Sequence, residues 1–392
     1  MDVDDDARTI GRRLRQIRNS RGKSLRVVAG LAGISKSQLS EFERGERALD
    51  SIRQIVALAN ALKIAPSDLT RLPVPAPANG DTDSAVEEVR RALMAVSSKR
   101  PGGQVKDVEE LRDRARAVWK IDYRSRSVAL PSLIRDLHSS MAAGRDVAEL
   151  LELAVRVHAA TLGDWLSVMG ASTDLRWQAS MLARQAAEDL GDPTALGVVA
   201  FDAAGTILRS GDFDLARAEL DSVTVPTNTS DRLQLGGMLA LRRALVAAAD
   251  KRPGDMQAPL EYAAQIAERT GQGNAFGMGF GPVNVGLWRM AGALEAGDPD
   301  TAIRVAEGLR PQEHPMRERR ATYWKDYGRA LARVRRRDDA VMALRTAEEL
   351  LPLRVLRNPF AREIIAELIT HARRDAVGRE LRGMAYRAGL PV

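Results

Sequence analysis

The chain has no cysteine, few aromatic residues and no long apolar run. Without cysteine it can build neither a disulfide framework nor a thiolate metal site. No apolar run approaches the roughly 20 residues that a membrane helix needs. The acidic start, residues 1–6, has no apolar stretch of the kind found in a signal peptide. We therefore expect a cytoplasmic protein without a membrane partner.

Motifs for catalysis and for nucleotide or metal binding are also missing. The sequence contains no phosphate-binding P-loop, no dinucleotide-binding glycine pattern and no nucleophile elbow. None of the histidines has zinc-site spacing. We expect ordinary surface or packed side chains at His138, His158, His314 and His371. The sequence thus predicts no enzyme and no cofactor, although residues distant in sequence could still assemble a catalytic site.

The composition favours helices. Alanine, leucine and arginine are abundant, whereas aromatic residues make up only 4% of the chain. Strand-like alternation of Val, Ile, Thr and Tyr is scarce, and the abundant residues are good helix formers. With 392 residues the chain is long enough for two or three domains. We expect an all-α protein.

Residues 10–62 carry the pattern of a DNA-binding helix-turn-helix. Apolar residues recur there at helical spacing on four segments, and Pro66 suits the first turn of a fifth. A turn at Gly33 is followed by Ser35, a good N-cap residue. The helix that begins there ends at Gly45, where a C-cap glycine belongs. A small helical bundle with a solvated basic surface is the alternative.

The third of these helices exposes a polar face. Leu39 and Phe42 point inward, so the opposite face carries polar side chains that can reach bases and phosphates. The candidate DNA-binding residues are Arg26, Ser35, Lys36, Ser37, Ser40, Glu41, Arg44 and Arg47.

The basic charge of the chain is concentrated in this segment. Residues 10–72 contain thirteen basic and five acidic residues, a net charge of +8, whereas the whole chain has +7. The remainder is therefore close to neutral. Such a concentration of charge is expected where phosphates are the partner, and it supports duplex DNA as the ligand.

At these residues the chain resembles the phage-repressor-like (Xre) helix-turn-helix family. The shared positions are Arg18, residues 29–35, Leu39-Ser40, Glu43-x-Gly45 and residues 58–62. The resemblance implies a five-helix lambda-repressor-like domain in which Arg18 and Glu43 form an ion pair.

The same resemblance assigns roles on the recognition helix. Lys36, Ser37 and Glu41 would contact bases, and Arg44 and Arg47 would contact phosphate. Two features depart from the family. Leu25 replaces a polar residue that often contacts DNA, and residues 46–50 lack the usual proline.

A proline-rich segment marks a domain boundary. Residues 72–83 contain alternating prolines and end in Asn-Gly-Asp, a combination typical of an extended linker. The capping box Ser84-x-x-Glu87 then opens a new helix. We assign residues 1–71 to the DNA-binding domain and 84–392 to a second domain. Because the linker separates the two, we expect substitutions in the second domain to leave basal DNA binding intact.

The second domain resembles tetratricopeptide repeats. Residues 324–352 follow that spacing, with small Gly328 and Ala340 where two helices would cross closely. Weaker copies place Ala216 and Ala302 at the same repeat position. The resemblance implies a superhelix of about five to seven helix pairs at ~34 residues each. The first helix of each pair would form a concave, ligand-holding face.

A glycine-rich stretch, residues 271–286, interrupts this pattern. Its Phe-Gly-Pro-x-Asn-Val run resembles an element of actinobacterial Xre regulators that carry tetratricopeptide repeats. In one interpretation Asn284 hydrogen-bonds a ligand while Phe276 and Phe280 stack on it. In the other, the stretch is a tight turn between repeats with core aromatics and a capping Asn.

Two arginine clusters, residues 317–320 and 335–339, are typical of solvated helix ends, although either could line an anion-binding groove.

Together these patterns predict a homodimeric transcriptional regulator that binds operator DNA and senses a peptide or small molecule. The alternative is a DNA-bound scaffold that recruits a partner protein without a diffusible ligand. A pocket with several convergent polar groups would favour the sensor.

Overall fold

The computed structural model describes residues 9–70, 80–373 and 375–391. Within these ranges all regular secondary structure is helical, so the all-α prediction is confirmed. None of the described helices is long and apolar enough to cross a bilayer.

Five helices form the N-terminal unit, residues 9–70. They are α1 (Ile10–Ser20), α2 (Leu25–Ala32), α3 (Lys36–Arg44), α4 (Ile52–Leu62) and α5 (Pro66–Thr70). Their inward faces share a core that includes the fully buried Leu14, Leu39, Phe42 and Leu58. Helices α1 and α3 cross closely, because a Cβ atom at Gly11 would lie 2.0 Å from the backbone oxygen of Phe42.

The predicted helix ends of this unit are confirmed. The Ser35 hydroxyl accepts a hydrogen bond from the Gln38 backbone N–H at 3.0 Å and caps α3. Gly33 and Gly45 end α2 and α3 in the left-handed conformation, with φ of 67° and 74°. Glycine adopts this conformation without the steric cost that a Cβ imposes.

Seventeen helices in the described residues form the C-terminal unit, residues 80–391. The first eight are α6 (Gly80–Ser97), α7 (Val108–Lys120), α8 (Tyr123–Ala142), α9 (Val147–Val155), α10 (Gly163–Met169), α11 (Thr173–Leu190), α12 (Pro193–Ser210) and α13 (Phe213–Asp221). The other nine are α14 (Ser230–Ala249), α15 (Gln257–Thr270), α16 (Pro282–Ala296), α17 (Pro299–Glu307), α18 (Arg317–Arg333), α19 (Arg337–Leu350), α20 (Pro352–Leu356), α21 (Pro359–Ile369) and α22 (Ala376–Arg387).

Most of the predicted linker, residues 72–83, lies outside the described residues. Its predicted C-terminal boundary at residue 83 is wrong. Helix α6 begins at Gly80, so Ser84 lies inside the helix instead of capping it. The Ser-x-x-Glu pattern marks a possible helix start, but it does not prevent the preceding residues from joining the same helix.

Helices α12 to α19 pack as successive pairs, and the pairs stack in an arrangement consistent with a superhelix. The residues predicted at the small position of each pair, Ala216, Ala302 and Ala340, are fully buried. Helices α18 and α19 approach closely at Gly328, where a Cβ would lie 3.2 Å from the backbone oxygen of Ala340. The glycine-rich segment lies between α15 and α16 and makes the repeat that contains it longer than the neighbouring repeats.

Candidate nucleic-acid interface and interior cavity

One face of α3 is open to solvent. The side chains of Lys36, Ser37 and Arg44 are exposed, whereas those of Ser40 and Glu41 are half-buried. The Ser35 and Ser37 hydroxyls lie 3.0 Å apart at the start of the helix. On α2, Arg26 is exposed as well. The structure thus brings seven of the eight predicted DNA-binding residues to the outer surface of α2 and α3.

Arg44 is already paired within the protein. Its guanidinium donates to both carboxylate oxygens of Glu46, at 2.6 and 2.7 Å, and to the Ser40 hydroxyl. Hydrogen bonding to Arg44 lowers the pKa of the Glu46 carboxyl. To bind a phosphate, Arg44 must exchange this carboxylate for the DNA.

Arg47 lies apart from the other predicted residues. Its guanidinium stacks over the Phe42 ring, 5.7 Å from the ring centroid. It lines a cleft that also contains Arg333 of α18. This position is on the side of the N-terminal unit that faces the C-terminal unit.

The ion pair that fixes α1 to α3 is present as the resemblance implied. Arg18 donates to both oxygens of Glu43, at 2.6 and 2.7 Å, and to the Lys23 carbonyl at 2.9 Å. Glu43 is buried. Hydrogen bonding to Glu43 raises the pKa of Arg18, so the guanidinium stays charged and its bonds to Glu43 hold the recognition helix in place.

Residues 9–72 match the family model described as a helix-turn-helix domain. The N-terminal unit is a helix-turn-helix domain. The match agrees with the two capped helices α2 and α3 around the turn at Gly33. No curated protein and no solved structure matches the chain.

The helix-turn-helix domain is docked on the C-terminal unit. Three glutamates of that unit accept hydrogen bonds from its backbone. Glu363 accepts from Ile10 at the start of α1, and Glu367 accepts from Ala48 at 2.7 Å. Glu295 accepts from Ile52 at 2.9 Å. Two of these carboxylates therefore lie at helix N-termini, where backbone N–H groups and the helix dipole favour negative charge.

A buried ion network joins the two units beside these contacts. Asp50, fully buried, accepts from the Arg329 Nε at 2.6 Å and also pairs with Arg333. Arg329 in turn donates to Glu295 at 2.8 Å. The two domains are therefore joined by side chains distant in sequence, which form an interface that the sequence analysis did not anticipate.

A cavity of about 330 Å³ lies inside the C-terminal unit. The first helices of the pairs line it, as predicted for a concave face: α12, α14, α16 and α18. Its wall also includes Glu295 and Arg329 of the ion network, and Ile52 of the helix-turn-helix domain. The cavity and the domain interface therefore share side chains.

The three predicted ligand-binding residues are separated in the structure. Phe276 lines the cavity and has a left-handed backbone, with φ of 54°. Such a conformation costs a non-glycine residue about 1–3 kcal/mol. Phe280 is fully buried against Gly237, so it is a core residue.

Asn284 does not line the cavity and caps no helix. It is fully buried, and its Nδ2 donates to the Met238 Sδ at 3.4 Å. Its Oδ1 has no hydrogen-bond partner among the described residues. Only Phe276 of the predicted set therefore faces a space that could hold a ligand.

The cavity contains charged residues that the sequence analysis did not assign. Arg319 belongs to an arginine cluster for which an anion groove was one of two interpretations. Arg176, Arg209 and Arg242 lie on three different helices and in no shared motif, so no local pattern could distinguish them from surface arginines. Their convergence is visible only in the folded chain.

Proposed function

We propose that the protein is a cytoplasmic transcriptional regulator of the Xre type. Its helix-turn-helix domain binds operator DNA, and its tetratricopeptide-like domain dimerises and senses a signal molecule. The observation that carries the proposal is the solvent-exposed polar face of α3 on a matched helix-turn-helix domain. We include dimerisation in the proposal because paired half-sites multiply the affinity of a single small domain.

The cavity favours a sensor over a recruiting scaffold. Its volume is within the range of small-molecule sites, about 300–1,000 Å³, and polar side chains converge on it from several helices. Because Glu295 and Arg329 belong both to the cavity wall and to the domain interface, a bound molecule can alter how the DNA-binding domain is held. Such coupling is a population shift between two arrangements of the domains.

The DNA-binding role is tested by replacing Lys36 and Arg44, the exposed cations near the two ends of α3, with alanine. Each lost phosphate contact reduces the slope of log affinity against log salt by about one unit. We expect the double variant to bind a selected operator more weakly, with a slope shallower by about one unit because Arg44 is the member of the pair assigned to phosphate. Fluorescence anisotropy from about 0.05 to 0.3 M salt measures both quantities.

The matched control is the double variant Arg90→Ala and Arg91→Ala. It removes two cations from α6, outside the helix-turn-helix domain. It should bind like the wild type. An unchanged affinity and slope for the Lys36 and Arg44 variant would refute the assignment of α3 as the recognition helix. Light scattering of the wild type, free and DNA-bound, tests the dimer.

A further inference from the structure

Four arginines meet at the cavity without carboxylate partners. Arg176, Arg209, Arg242 and Arg319 come from α11, α12, α14 and α18 and line the same space. In the described part of the chain, none of them has a carboxylate oxygen within 4.0 Å of its nitrogens. The other lining cations have such partners. Arg354 pairs with Asp164, Lys325 with Asp326 and Arg329 with Glu295.

The four charges repel one another. The charge of Arg176, and after it that of Arg242, lowers the pKa of Arg209 well below its usual value. Burial first, and then Arg319 and Arg176, lower the pKa of Arg242 to about 9, despite an opposing effect of Asp202. Seven cationic and five acidic side chains line the cavity. The empty site therefore carries unbalanced positive charge in a partly desolvated space, which is unfavourable unless an anion compensates it.

The fold holds these guanidinium groups in place. Arg242 lies on the bare backbone of Gly205, where a Cβ would come within 3.0 Å of its Cζ. Its Cζ also lies 4.3 Å from the ring centroid of Phe201 and 4.9 Å from that of Trp288. Arg319 donates to the Met278 carbonyl at 3.0 Å. These contacts fix the positions of Arg242 and Arg319 and leave their remaining N–H groups available to a ligand.

We propose that the cavity binds a small organic anion, with its carboxylate or phosphate groups held between Arg176, Arg209, Arg242 and Arg319. Guanidinium groups donate paired hydrogen bonds that match both kinds of oxyanion. Trp119 and Phe276 on the cavity wall supply apolar surface for the rest of the molecule. This inference rests on the proposed sensor function and narrows the signal to a small anion, since the cavity is too small for a protein partner.

The test measures thermal melting of the full chain with pyrophosphate or citrate, against sodium chloride of equal ionic strength. We expect either anion to raise the melting temperature of the wild type above the salt control. Arg209→Gln should weaken the apparent affinity by about tenfold, or about 1.4 kcal/mol. It should also raise the melting temperature of the unliganded protein, because it removes a repelled charge. Arg319→Gln is a second variant with the same expected loss of anion response.

Arg269→Gln is the matched control. Like Arg209, Arg269 is an exposed arginine in the last turn of its helix, but it does not line the cavity. This variant should keep the full anion response. If neither anion stabilises the wild type, or if both cavity variants respond like it, the anion site is refuted.

Anisotropy with operator DNA separates this outcome from a failure of the sensor function. Stabilisation by the anion without any change in DNA affinity would keep the site and refute sensing. If the anion changes the DNA affinity of the wild type but not that of Arg209→Gln, the result supports both the anion site and the sensor function.

Discussion

At the scale of single residues, Arg44 is the best-placed cation on α3, yet its charge is already partnered. Both nitrogens that face Glu46 donate to its carboxylate, and this pair is exposed. Exposed pairs contribute little to stability, about 0–1 kcal/mol. The pair can therefore open readily when a phosphate approaches. The small free energy needed to break it weakens DNA binding by the same amount.

Replacing Glu46 with Gln should tighten DNA binding. The change frees Arg44 and removes a negative charge near the phosphates, and we expect a gain of about two- to fivefold at low salt. Anisotropy with operator DNA measures it. Glu88→Gln, which opens a similar exposed pair with Arg91 on α6, should leave affinity unchanged. Equal gains in DNA affinity for both variants would mean that the affinity depends only on the total charge of the protein.

Residue roles were predictable where they follow from local pattern. The Ser35 cap and the exposed face of α3 lie within one short segment whose spacing fixes their geometry. The Arg18–Glu43 pair was implied by the family resemblance alone. Glu46 was missed as a partner of Arg44 because it lies beyond the end of α3. Helical periodicity does not predict where a side chain points outside the helix. The position of Asn284 away from the cavity was not predictable, because a polar residue after glycines is equally compatible with a ligand site and with a buried position.

At the scale of elements, two helical segments meet at a pair of buried histidines. The Nε2 atoms of His138 on α8 and His158 on the π-helical stretch Arg156–Leu162 lie 2.8 Å apart. One ring must donate and the other accept, so the two rings cannot both be doubly protonated without losing this bond. Burial lowers the pKa of His138 to about 4, and burial together with His138 lowers the pKa of His158.

This pair makes stability depend on pH. The unfolded chain binds protons at these histidines near pH 6.5 while the folded protein does not, so stability is complete above that pH and is lost as the pH falls toward 4. We expect a loss of about 2 kcal/mol per histidine at pH 5.

Urea unfolding at several pH values measures this loss. The variant His138→Asn should lose less stability than the wild type on acidification, because one of the two groups no longer titrates. His371→Asn, at an exposed histidine, should keep the wild-type slope. A slope unaffected by His138→Asn would show that other groups cause the acid loss.

Elements were predictable where their ends carry strong signals. Serine caps and left-handed glycines fix α2 and α3, and the small residues Gly328 and Ala340 fix the crossing of α18 and α19. The start of α6 and the π-helical stretch were not predictable. For the first, the capping box at Ser84 gave the stronger signal for a later start, and the second interrupts an ordinary apolar periodicity.

At the scale of the whole molecule, the domain interface was invisible in the sequence. The carboxylates of Glu295, Glu363 and Glu367 reach backbone groups of the helix-turn-helix domain more than 240 residues away. No periodicity links such positions, and the proline-rich linker suggested independent domains. The central claim of our account is that this interface joins the DNA-binding domain to the cavity-containing unit.

The most direct test of that claim is the unfolding of Asp50→Ala. Removing one partner from a buried ion network costs about 3–5 kcal/mol, because the remaining charges stay buried without compensation. We expect the wild type to melt in one transition and Asp50→Ala to melt earlier, with the helix-turn-helix domain unfolding separately. Asp214→Ala, at an exposed carboxylate paired with Arg217, is the control. Calorimetry that shows the same single transition in Asp50→Ala and in the wild type would contradict the claim.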